Sequence, residues 1–445
     1  MKQRPVNLQD AFFVVFEYHS IKILAYNMLS FKIDEQNMKT ELKKWNRKRN
    51  YALKTLKLKL KYFLPILVLN QIKAKQTIQD VSNIKKILVV RNDLIGDMVL
   101  STPLLRNLFE HGYEVYVVSK AQALSMIENK DYVAGSFVYN DASWKHVFES
   151  IKNVRQHRFD LVIDMKLSSK TEHIWFCAWM KTPVLMGFNK SNVKAYNISH
   201  SYRNPEAHIS RSFESIYTKL GIHAKPHAYD VSVPAAVRSH TQAFLQSAWP
   251  HQVDTNSKLI VLNPFGSKSD RWLSEAQIAV ILAFFSAHKV VLIGEYAKIS
   301  AITTPNHVKA FQSKGVLDIT ALIEMADCMV TVDTAIVHIA SALQSKMIAF
   351  YKETPLMRPD AILNEDQQLK QSKYEFERLA QDYPNIRHNH QPLAKHVQFK
   401  MYAPNHPQAV QKVFTCHRID AVSCEHLQQE LGDAWQQLMQ ENHAV

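Results

Sequence analysis

Ile87-Leu88-Val89-Val90-Arg91-Asn92-Asp93-Leu94-Ile95-Gly96-Asp97-Met98 is the stretch whose reading decides the fold. Its first four residues are apolar without a break, the pattern of a strand buried on both faces of a parallel sheet. A short polar loop follows, and Val99-Leu100-Ser101-Thr102-Pro103 continues as a helix. Asp97 therefore falls beside Gly96 at a helix start, over the carboxyl edge of the sheet. From these residues alone Asp97 either caps the helix or faces a ligand in the crevice.

The same grammar extends outward. Tyr113 to Val118, Asp160 to Ile163 and Val184 to Gly187 read as further strands, and intervals such as Pro103 to His111 have the length of crossover helices. Residues 85–240 are expected to form one Rossmann-like half. Ala235 to Asn256, mixed in composition and holding Pro250, reads as a link. Strands then return at Leu259 to Leu262, Val290 to Ile293, Cys328 to Val332 and Met347 to Phe350, with helices at Ser274 to Ala287 and Ile336 to Gln344. A second half over residues 257–415 and a helical tail over 416–445, amphipathic through Leu427, Leu431, Trp435 and Leu438, complete the expectation. The fold class is α/β: two doubly wound halves with a cleft between the carboxyl ends of their strands, where such sheets bind ligands.

Ahead of these halves, residues 1–84 read as a basic helical extension. Met38 to Lys61 holds ten Lys or Arg residues against the single acid Glu41. Leu53, Leu56, Leu60 and Phe63 fall on one helical face, so the segment is expected either to lie on anionic lipid or to be a solvated extension packed on the next domain. The net charge of +14 calls for an anionic partner without choosing among nucleic acid, phosphorylated substrate and lipid. Four cysteines without Cys-x-x-Cys spacing indicate neither a disulfide framework nor a zinc site. His388, His390, His396, His406 and His417 also lack metal-ligand spacing. The first twenty residues do not pattern as a signal peptide, and the apolar run Tyr62 to Leu69 is far short of the ~20 residues that span a bilayer. A cytoplasmic protein is expected.

Three further elements carry chemistry. In Val330-Thr331-Val332-Asp333-Thr334-Ala335-Ile336-Val337-His338 a β-branched strand runs into a carboxylate, a hydroxyl and a small-residue helix. The amides at that helix start, with the Thr334 hydroxyl, suit a pyrophosphate, and His338 lies one turn on along the same side. In Asn263-Pro264-Phe265-Gly266-Ser267-Lys268-Ser269-Asp270-Arg271-Trp272, Lys268 and Arg271 both offer positive charge to a leaving phosphate. Glu295, after Ile293-Gly294, sits where a carboxylate takes ribose hydroxyls. No Gly-x-Gly-x-x-Gly follows any strand, which argues against a dinucleotide oxidoreductase.

Together these elements resemble the heptosyltransferases, family 9 of the glycosyltransferases. The resemblance rests on Arg91, Ile95-Gly96-Asp97 and Pro103 in the first half, and on Asp333-Thr334-Ala335-Ile336-Val337-His338-Ile339-Ala340-Ser341-Ala342 in the second. It covers roughly Lys85 to Phe350. It implies a GT-B fold, no metal, and inverting transfer of a sugar, heptose from ADP-heptose, to a hydroxyl of a lipopolysaccharide-core or related anionic glycan acceptor. By the same resemblance Asp97 is the general base. Asp333, Thr334, His338, Glu295, Arg271, Lys268 and Ser267 meet the donor, and Arg91, Lys166 and Lys170 meet the acceptor. The implied place is the inner face of the bacterial inner membrane, reached through residues 38–61, with no nucleic acid partner. The alternative is a catalytically inactive relative serving as a membrane-surface scaffold. The sequence departs from the family at Ala335, where glycine is usual, and at Tyr351-Lys352-Glu353-Thr354, where Phe-Gly-Pro-Thr is usual.

Overall fold

A computed structural model of the chain describes residues 46, 49, 64–72, 83–91, 94–167, 171–191, 193–202, 207–250, 256–353 and 398–440. The chain divides into two compact units, Met1–Leu60 and Lys61–Val445. The basic segment 38–61, with Leu53, Leu56, Leu60 and Phe63, lies outside the described residues apart from Asn46 and Arg49. The sheets and the candidate site lie in the larger unit.

Among its described residues that unit forms two six-stranded sheets, parallel at every pairing. In the first, β1 (Lys86–Val90), β2 (Glu114–Ser119), β3 (Gly135–Val138), β4 (Leu161–Asp164), β5 (Val184–Phe188) and β6 (Ile198–His200) lie in the order β3-β2-β1-β4-β5-β6. In the second, β7 (Leu259–Asn263), β8 (Lys289–Leu292), β9 (Val308–Ala310), β10 (Cys328–Val332), β11 (Met347–Glu353) and β12 (Ala409–Thr415) lie in the order β9-β8-β7-β10-β11-β12. Both halves thus repeat one winding. Its switch point falls between β1 and β4 in the first sheet and between β7 and β10 in the second, and the crevice opens there.

The helices follow from the same sequence pattern. We number those used below as α1 (Leu64–Ile72), α2 (Ile95–Glu110), α3 (Trp144–Arg155), α4 (Thr171–Ala178), α5 (Phe213–Leu220), α6 (Ala235–Ala248), α7 (Glu275–Phe284), α8 (Val316–Met325), α9 (Ala335–Ala342) and α10 (Cys424–Gln440). Just past the end of α2, after its cap residue His111, Gly112 takes a φ of 86°, the left-handed conformation that glycine adopts freely beyond a helix end. Helix α1 falls within the stretch read as an extension, yet it seals the first half. Ile66 and Leu69 are buried, and the Asn70 side chain accepts the Lys194 amide at 2.8 Å. The stretch read as a link carries α6, which packs on α8 and forms an ion pair from Arg238 to Glu324 at 2.6 Å. The expected helical tail is α10, which buries Leu427, Leu431, Ala434 and Leu438 against the second half.

Among the described residues three apolar clusters hold the unit together. One fills the outer face of the first sheet around Val90, Val162 and Phe176, and one the outer face of the second around Ile260, Val330 and Leu431. The third runs through both halves, from Ile87, Met98 and Leu104 to Val261, Val337 and Met347. Helix α2 packs against α9 within it.

Candidate functional site

The α2–α9 packing brings the two sequence motifs together. A Cβ added to Gly96 would lie 2.7 Å from His338 Cδ2 and 3.2 Å from Ala335 Cα. Only a glycine lets the two helix starts approach this closely. Asp97, the next residue, is the third residue of α2. Its Oδ2 accepts the Leu94 amide at 3.2 Å, so the capping role is real, while its Oδ1 takes Arg91 Nη2 at 2.9 Å. The two readings of Asp97 are therefore compatible: the cap and the guanidinium fix the carboxylate in one orientation, and its side chain keeps 19% exposure. Arg91 is buried at the end of β1 and also donates to the backbone carbonyls of Asp97 and Met165, at 3.2 and 3.3 Å.

On the second half, β10 delivers Asp333 and Thr334 to the start of α9. Thr334 caps the helix, its hydroxyl accepting the Ile336 amide at 3.2 Å. Asn263, at the end of β7, donates its side-chain amide to the hydroxyls of Thr334 and Thr331, each at 3.1 Å. Asp333 Oδ2 forms an ion pair with Arg271 Nη1 at 2.8 Å. Burial raises the Asp333 pKa, and Arg271 works against that rise. Arg271 reaches Asp333 because the loop from Pro264 to Trp272 is folded tightly on itself. Trp272 Nε1 donates to the Gly266 carbonyl at 2.7 Å, and a Cβ on Gly266 would meet Arg271 Cβ at 2.7 Å. The same loop leaves Ser267 and Lys268 exposed. A second cation stands at this sheet edge: Lys352 pairs with Asp270 at 3.0 Å and donates to the His417 carbonyl at 2.9 Å.

The remaining expected residues fall as follows. Glu295 is exposed at the carboxyl end of β8 and pairs with Lys298. His338 is 6% exposed, packed against Gly96 and, edge to face, against Tyr402. Burial pushes its pKa down to about 3, with His208 and Arg91 adding to the effect, so its imidazole is neutral at ordinary pH. Its Nδ1 has no hydrogen-bond partner among the described residues. Lys166 follows β4 at the first-half edge of the crevice, and Lys170 lies outside the described residues.

Sequence reasoning missed a buried polar cluster behind Lys166. Asp164, His173, Tyr196 and Lys190 are all buried. Asp164 Oδ1 contacts His173 Nε2 at 2.7 Å, Tyr196 donates to Oδ2 at 2.6 Å, and Lys190 Nζ lies 3.9 Å from Oδ2. Nor does the sequence pattern assign a role to Asn263, which ties Thr331 to Thr334. Its place after a fully apolar strand was the signal available.

Two doubly wound halves, a fixed carboxylate on one and an anion-suited helix start on the other, define a glycosyltransferase of the GT-B type. The family model for glycosyltransferase family 9 (heptosyltransferase) matches residues 147–382, and the chain belongs to that family. The Escherichia coli (strain K12) protein named "Putative lipopolysaccharide heptosyltransferase 4" is 21% identical over 315 residues, spanning 69% of this chain and 84% of that protein. The family 9 glycosyl transferase of Veillonella parvula superposes with a TM-score of 0.60 at 13% identity, over 81% of this chain and 99% of that one. The E. coli ADP-heptose lipopolysaccharide heptosyltransferase II superposes with a TM-score of 0.54 at 16% identity, over 80% and 99% of the two chains.

Proposed function

We propose that this enzyme transfers heptose from ADP-heptose, with inversion and without a metal, to a hydroxyl of a lipopolysaccharide-core acceptor at the cytoplasmic face of the inner membrane. The observation that carries the reading is the meeting of Gly96-Asp97 with Ala335 and His338 across the two halves. A sugar hydroxyl is a poor nucleophile at neutral pH, and a carboxylate held by a cap and a guanidinium is oriented to take its proton as the new bond forms. The departing ADP needs stabilisation of its diphosphate. The α9 start at Thr334, with Arg271, Lys268 and Lys352 nearby, offers it. Neutral His338 acts as a hydrogen-bonding group rather than a cation, and Ser267 and Glu295 contact the rest of the donor. Arg91, Lys166 and Lys170 attract the anionic acceptor, and residues 38–61 dock the enzyme on anionic lipid. The names of the two E. coli relatives, a lipopolysaccharide heptosyltransferase and an ADP-heptose lipopolysaccharide heptosyltransferase, support this reading of the donor.

The test is incubation with ADP-heptose and a heptose-deficient core glycolipid, followed by mass and anomeric configuration of the product. Titration of ADP, UDP and GDP runs alongside it. Transfer with inversion and a preference for ADP are expected. A retained anomeric configuration, or equal binding of all three nucleotides, overturns the reading.

A further inference from the structure

We propose that Lys190 is a positioning residue for the transfer reaction: buried with Asp164, it clamps the chain after β4 and through it fixes Arg91 and Lys166. The inference rests on the reading of Asp97 as general base.

Lys190 lies two residues beyond β5 and has no solvent exposure. Its ammonium donates to the backbone carbonyls of Lys166 and Phe188, at 2.9 and 2.8 Å. Asp164, equally buried at the end of β4, accepts the Lys166 amide at 3.0 Å. Lys166 is thus gripped on both sides of its backbone, its N–H by Asp164 and its C=O by Lys190. One residue earlier, the Met165 amide donates to the Val90 carbonyl at 3.2 Å, and the Met165 carbonyl accepts Arg91 Nη1. The second terminal nitrogen, Nη2, holds the Asp97 carboxylate. A continuous path of hydrogen bonds, crossing the backbone of Lys166 between two adjacent peptide units, therefore joins Lys190 to the candidate base.

A buried ion pair is a poor way to stabilise a fold, because desolvating both charges costs about as much as their attraction returns. Burial alone would raise the Asp164 pKa. His173 and Lys190 reverse that and hold the carboxyl well below its usual range, so the charge is kept. Asp164, His173 and Cys177 also bring three ligand-type atoms within 4.8 Å of one another. A divalent cation there would face the Lys190 ammonium, and Lys190 already supplies the counter-charge. What distinguishes this cluster is its place, at the switch point of the first sheet and directly beneath the loop that carries Lys166.

The experiment compares wild type with Lys190→Met and with Lys190→Met/Asp164→Asn, which removes both charges. Breaking one partner of a buried pair is strongly destabilising, whereas removing both is close to neutral. The double variant should therefore lose less stability than Lys190→Met, the remaining cost being the Lys166 and Phe188 carbonyls left without their donor. It should still lose the clamp: amide exchange at Leu94 to Met98 and Met165 to Leu167 should rise at least about 10-fold, with second-half peptides unchanged. In the transfer assay kcat should fall about 10- to 100-fold at unchanged ADP affinity, the scale for misplacing a reacting group by a fraction of an ångström. Wild-type protection at those amides together with kcat within a factor of three overturns the proposal. If the double variant fails to fold, Lys190→Gln, whose amide still reaches one carbonyl, is decided by the same exchange readout. Asp97→Asn is measured in parallel. If it retains wild-type turnover, the base reading fails, while the exchange data still decide whether Lys190 clamps the loop.

Discussion

Gly96→Ala is the most direct probe of how the two halves meet. The new methyl would lie 2.7 Å from His338 Cδ2 and 3.2 Å from Ala335 Cα. Carbon atoms in contact sit at roughly 3.5–4.0 Å, so α2 and α9 must separate by somewhat under 1 Å. Neither neighbour yields easily, because Ala335 meets the methyl with its backbone and His338 is a buried ring. Alanine in place of glycine gains up to about 1 kcal/mol of helix propensity, less in the first turn where Gly96 lies. Overpacking costs about 1–3 kcal/mol. The net change should be a modest loss of up to about 2 kcal/mol, seen as a melting temperature a few degrees lower. The rate should suffer more, since a shift approaching 1 Å between base and donor costs on the order of 10²-fold in turnover. Gly112→Ala is the control. Its methyl meets nothing within 4 Å, but φ is +86°, so it should lower stability through backbone strain and leave kcat alone. Calorimetry and the transfer assay on both variants decide the matter. If Gly96→Ala is as stable and as active as wild type, the approach of the two motifs is not what builds the site.

Three further outcomes are expected. Asp97→Asn should fold and bind ADP normally while its transfer rate falls about 10²- to 10⁴-fold, the range for losing a general base; turnover within a factor of a few would leave Asp97 as a cap alone. Burial lowers the pKa of His338 to about 3 and of His208 to about 4, whereas the unfolded chain takes up those protons near pH 6.5. Their stabilising effect is therefore full above pH 6.5 and lost as pH falls toward 4 and 3, with His338 alone giving up roughly 2 kcal/mol at pH 5. The drop in melting temperature between pH 7.5 and 5 should shrink in His338→Asn, and an unchanged drop would count against the buried neutral imidazole. Finally, removing residues 1–60, which leaves α1 and its buried Ile66 and Leu69 in place, should preserve folding. The same truncation should weaken sedimentation with anionic vesicles at low salt. Equal sedimentation of both forms would assign the positive charge elsewhere.

The central strands were legible because a strand covered on both faces must be apolar throughout: β1, β4, β5, β7, β10 and the first part of β11 all read this way. The edge strands were not. β3 alternates between partly buried and exposed residues, β6 and β9 have three residues each, and β12 carries Gln411 and Lys412. Helix α6 passed for a link because only Thr241 along it is buried, so it shows no apolar stripe. The local parts of the site, Asp97 beside Gly96 and Thr334 at a helix start, were readable since their geometry is set within a few residues. Arg271 with Asp333, or Lys190 with Asp164, could not be paired from sequence. Such contacts exist only once parallel strands distant in the chain lie side by side.

The apolar cluster shared by the two halves has a thermodynamic consequence. Met98, Val99 and Leu104 from one half and Val337, Ile339 and Met347 from the other belong to one buried group. Neither half can melt without exposing the other's share of that surface to water. Heating should therefore give a single cooperative transition rather than two, although each sheet alone has the size and winding of an independent domain. A destabilising lesion in one half would then be felt as lost protection in both.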